Sequence, residues 1–110
     1  MRVEVTIDLG LVIDGVEHTA DFIWDVGDRP VPVRKDRIAF GEYTARVLRR
    51  QYKCADADTL TDTPGLAPVE LELWAAPTKA TRRSRFTPQE VRDILAALPC
   101  VSDLHVTGTL

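Results

Sequence analysis

The sequence is short of cysteine, methionine and aromatic residues, and no apolar run is long. Its two cysteines, Cys54 and Cys100, lie far apart and match no metal-ligand or redox spacing, so two reduced, largely buried thiols are expected. Aromatic residues make up only 6%, so the core must be built mainly from aliphatic side chains. No stretch reaches the roughly 18–20 apolar residues of a membrane-spanning helix. The start, Met1-Arg2-Val3-Glu4, lacks the continuous apolar segment of a signal peptide, which points to a cytoplasmic protein. Lysine is scarce as well, with 3 against 11 arginines. No nucleophile-and-base arrangement, glycine-rich phosphate loop or cofactor motif is present, so neither catalytic residues nor cofactors are assigned.

What is present is a single-domain length, 110 residues, with 45% hydrophobic and 28% charged residues. The net charge of −3 hides a strong division along the chain. Residues 1–28 carry −6, residues 29–53 carry +6, residues 54–76 carry −5 and residues 77–98 carry +3. Near-neutrality is a cancellation between blocks.

The first block has a clear strand pattern. Val3, Val5, Ile7, Leu9, Leu11 and Ile13 alternate with more polar residues, as do His18, Ala20, Phe22 and Trp24. Asp14-Gly15 between them is a two-residue hairpin signal. Carried down uniformly, that turn places Asp8 opposite Asp21 and Glu4 opposite Asp25. The prolines Pro30 and Pro32 end this hairpin. Tyr43, Val47, Leu48 and Tyr52 then predict a helix over about 41–53, with Arg46, Arg49, Arg50 and Lys53 opposite. Residues 54–68 read as an acidic loop. Val69 to Trp74 alternates as a strand, and 78–85 reads as a basic loop. Thr87-Pro88-Gln89-Glu90 is a capping box with proline at the first helical position, followed by Val91, Ile94, Leu95 and Leu98 at helical spacing. Leu104 to Thr107 is a last short strand. The order ββαβαβ predicts an α+β two-layer sandwich, a four-stranded, mostly antiparallel sheet with two helices on one face, ferredoxin-like in style.

In that architecture the outward strand residues form an open acidic face: Glu4 and Asp8, then Asp21 and Asp25, then Glu70, Glu72 and Trp74. The bases would sit on the helical layer. Trp74 is outward by strand parity, or inward if a bulge intervenes. An exposed aromatic among carboxylates suits an interface anchor. With these residues in a ββαβαβ frame, the chain resembles the small phage-encoded inhibitors that imitate nucleic acid, anti-CRISPR proteins among them. The resemblance implies a non-enzymatic inhibitor that occupies the basic groove of a nucleic-acid-binding effector, the carboxylates standing where phosphates would.

Other constellations are weaker. Asp56, Asp58 and Asp62 lack the glycine and the closing glutamate of a calcium loop, and no metal is expected. His18 reads as a satisfied inward residue. A structural component of a phage or mobile element, assembling through the sheet, is one alternative. A nucleic-acid binder using the Arg-rich helical layer is another, disfavoured because a sheet that reads RNA should show exposed aromatics with basic neighbours.

Overall fold

The computed structural model describes residues 2–13, 15–54 and 69–107, with the backbone alone at 10–13, 52–54 and 69–70. Asp14 of the hairpin turn and the acidic loop with Asp56, Asp58 and Asp62 lie outside the described residues.

The chain is mostly β. The strands are β1 (Arg2–Ile13), β2 (Val16–Asp25), β3 (Arg37–Phe40), β4 (Tyr43–Cys54), β5 (Val69–Pro77) and β6 (Val101–Val106). Two short helices, α1 (Lys79–Arg83) and α2 (Pro88–Ala96), lie between β5 and β6. The strands form one mixed, curled sheet in the order β3-β4-β5-β1-β2-β6, with β1 and β5 parallel. This corrects the expected four-stranded, two-helix, ferredoxin-like α+β sandwich.

The error lies at residues 37–54. The expected helix over 41–53 is strand β4, hairpinned to β3 through Gly41-Glu42. Phe40 pairs with Tyr43, and Gly41 has φ +61, which fits a two-residue turn with glycine first. Tyr43, Ala45 and Val47 are buried while Thr44 and Arg46 face outward, a period of two. Tyr, Thr and Val also favour a pleated surface. The helical stripe was mimicked because a bulge between Val47 and Arg49 breaks that period. Leu48, assigned to the apolar stripe, is half exposed.

Curling brings distant strands together. Phe40 of β3 packs edge-on against Phe22 and Trp24 of β2, with ring centroids 5.3 and 5.6 Å apart. Four inter-strand steps separate β3 from β2, about 19 Å in a flat sheet. The concave side therefore holds the core, built from Val3, Val5, Ile7, Phe22, Leu71 and Leu73 with Val91 and Leu95 from α2. The Thr87 hydroxyl caps α2 by accepting from the Glu90 amide at 3.2 Å and donates to Glu90 Oε1 at 3.2 Å. The basic segment after β5 is helix α1, capped by Thr78, and not a loop.

Candidate functional site: a charge-divided outer sheet face

The β1–β2 register departs from a uniform hairpin. Ile13 pairs with Val16 as the turn demands, but a shift between Asp8 and Val12 changes every pairing below it. Asp8 lies opposite Thr19, Thr6 opposite Asp21, Glu4 opposite Ile23 and Arg2 opposite Asp25. Both expected like-charge pairs are therefore absent. The shift is an even number of residues, so inward and outward faces are kept while partners change. Thr6 Oγ1 donates to Asp21 Oδ1 at 2.8 Å, and Asp25 Oδ1 accepts from the Gly27 amide at 2.9 Å.

A different like-charge pair takes their place. Glu4 of β1 lies directly opposite Glu72 of the parallel strand β5. The outward residues form rows across the sheet. One runs Gln51, Glu72, Glu4, Ile23 and Ser102; the next runs Arg49, Trp74, Thr6, Asp21 and His105. Neighbouring strands are about 4.8 Å apart, so these side chains sit on a fixed lattice. At the β2–β6 end, a second register shift opens a groove of about 390 Å³ beside Glu4, Asp21, Asp103 and His105. Asp103 stands at φ +51 in this irregular stretch.

Trp74 does face outward and is 40% exposed. It is partly covered, however, because the Arg49 guanidinium lies over its ring, 5.0 Å from the centroid. Glu70 pairs through its backbone with Lys53, and its side chain lies outside the described residues. The remaining expected site residues share one half of the face: Glu72 and Trp74 on β5, Glu4 and Asp8 on β1, Asp21 and Asp25 on β2.

The bases are not confined to a helical layer. Arg37 of β3 with Arg46 and Arg49 of β4 occupies the other half of the same sheet. The outer face is thus divided, basic over β3–β4 and acidic over β5-β1-β2-β6. The glycine-first turn at Gly41 and the β-branched and aromatic residues after it are the sequence signals that point to this basic half.

Two buried polar groups lie nearby. His18 is buried as expected, but only half satisfied: its Nδ1 donates to the Thr107 carbonyl at 3.1 Å, while its Nε2 is buried with no partner among the described residues. The Tyr43 hydroxyl is buried with no partner among the described residues. Burial pushes its pKa up, Asp8 adds to the rise, and Arg82 opposes it. Cys100 is a half-buried free thiol, and the Cys54 side chain lies outside the described residues. Among the described residues, no three His, Cys, Asp or Glu side chains gather where they could hold a metal, and no helix is long and apolar enough to cross a membrane. Comparison with protein-family models, with curated proteins and with solved structures finds no match to this chain.

Proposed function

We propose that the chain is a non-enzymatic binding protein whose acidic half-face docks into the basic, nucleic-acid-binding groove of a partner protein and blocks it, as nucleic-acid-mimicking inhibitors of the anti-CRISPR kind do. The observation that carries this reading is the pair Glu4–Glu72, like charges held opposite each other on adjacent interior strands. Such a pair costs stability. A face shaped only for solubility would place a base there, as Arg2 opposite Asp25 does. Glu4 has no hydrogen bond or ion pair among the described residues, which leaves its carboxylate available to an incoming cation. Asp8, Asp21 and Asp103 extend the negative field toward β6. A sheet offers this array without a backbone ordering cost, since its backbone is already fixed.

The test exploits charge reversal at constant repulsion. Glu4→Lys with Glu72→Lys keeps a like-charge pair at this position, and circular dichroism confirms that the variant is folded. The immobilised natural chain should retain a nucleic-acid-binding protein from nuclease-treated host extract, release it as salt rises, and yield it to added duplex DNA. The reversed variant should retain none of it. Equal retention by both proteins would refute the reading.

A further inference from the structure

We propose that the cleft between β3, β4 and α1 is a second binding site, for the phosphodiester backbone of a nucleic-acid strand. The cleft has a volume of about 620 Å³, and Arg37, Arg46, Lys79, Arg82 and Arg83 line it with Leu48. No carboxylate lines it. Among the described residues, none of these five cationic side chains makes an ion pair or hydrogen bond. Arg37 and Arg46 are directly opposed across the β3–β4 ladder, a second like-charge pair that costs stability until an anion arrives. Lys79, Arg82 and Arg83 are spaced at i, i+3 and i+4 on α1, which turns them to one side.

The chemistry favours phosphate. Four of the five cations are arginine, whose planar fork matches phosphate oxygens in bidentate fashion. Five cations spread over two strands and a helix exceed what one phosphate needs, so a run of phosphates fits better than a single free ion. Leu48, 51% exposed at the rim, gives a sugar or base an apolar surface. Charges more than about 8 Å apart are largely screened at physiological salt, so the field in the cleft is set mainly by its own lining, which carries five cations and no carboxylate; Asp8 of the acidic half meets the field of Arg82 at the Tyr43 hydroxyl. The site is independent of the acidic face, and the two together make the chain able to touch a nucleic-acid-binding protein and its nucleic acid at once.

The experiment is fluorescence anisotropy of a labelled single strand of about 20 nucleotides, titrated with the full chain at several salt concentrations. Engagement of three to five phosphates predicts a slope of log affinity against log salt of about −2 to −3.5. Arg46→Glu with Arg82→Glu should weaken binding at least about tenfold and flatten the slope by about 1.4. Lys79→Glu with Arg83→Glu should act alike. These side chains are exposed, and unchanged circular dichroism confirms that each variant is folded. Glu4→Lys with Glu72→Lys should bind the strand at least as well as the natural chain, which separates this site from the acidic one. Inorganic phosphate at matched ionic strength should not displace the strand. Absence of binding at low salt, natural affinity in both arginine and lysine variants, or full displacement by inorganic phosphate would each overturn the proposal.

Discussion

Replacing Glu4 by Gln should make the protein more stable, and the size of the gain should depend on salt. Glu4 and Glu72 face each other across adjacent strands. At about 5 Å, two unit charges in a water-like dielectric repel by about 0.8 kcal/mol. Screening at physiological ionic strength cuts this roughly in half, and 1 M salt leaves about a fifth. Glutamine keeps the shape and removes the charge. The expected gain is therefore about 0.8 kcal/mol at low salt, about 0.4 at physiological salt and about 0.2 at 1 M. With an unfolding entropy of about 0.23 kcal/mol/K for a chain of this length, the low-salt gain raises Tm by about 3–4 °C. Urea unfolding of both proteins at the three salt concentrations measures it directly. A loss of stability in the variant, or a gain that persists unchanged at 1 M salt, would show that Glu4 is held by favourable contacts and that the repulsion argument is wrong.

Tyr43→Phe should be neutral or stabilising by up to about 1 kcal/mol, because it removes a buried hydroxyl that lacks a partner among the described residues. The raised phenol has a pH consequence as well. The unfolded chain loses this proton near pH 10, before the folded one does, so stability falls as pH rises above about 10 and the fall is shallower in Tyr43→Phe; chemical denaturation from pH 8 to 11 checks both. Leu95→Ala should cost about 2–5 kcal/mol in urea unfolding, since Leu95 is fully buried where α2 fills the curled sheet. Gly41→Ala should cost about 1–2 kcal/mol, because φ +61 disfavours a side chain and a Cβ there would lie 3.4 Å from Ile94 Cγ2.

The leading hairpin, the β5 strand, the capping box of α2 and the final strand were legible because each rests on local chemistry: alternation, a turn residue, a cap. The β3–β4 hairpin was hidden for a physical reason. Its bulge after Val47 shifts the apolar period, so Tyr43, Val47 and Leu48 imitate one helix face. The cross-strand partners were hidden too. Turn geometry fixes a register only until the first irregularity, and the shift between Asp8 and Val12 moves every pair below it. The carboxylates of β1 and β2 kept their outward face, since an even shift preserves the faces. Their partners changed: Arg2 meets Asp25, and Glu4 meets Glu72 through a parallel pairing that no local pattern announces. The cleft of Arg37, Arg46 and α1 unites segments some forty residues apart and needed the sheet order to be seen.

The most direct test of the proposed function is the affinity comparison between the natural chain and Glu4→Lys/Glu72→Lys, with captured proteins identified by mass spectrometry. The account predicts that a nucleic-acid-binding protein is retained by the natural chain, is displaced by duplex DNA, and is missing from the reversed variant although circular dichroism shows both proteins folded. Capture of the same proteins by both, at the same salt resistance, would contradict it.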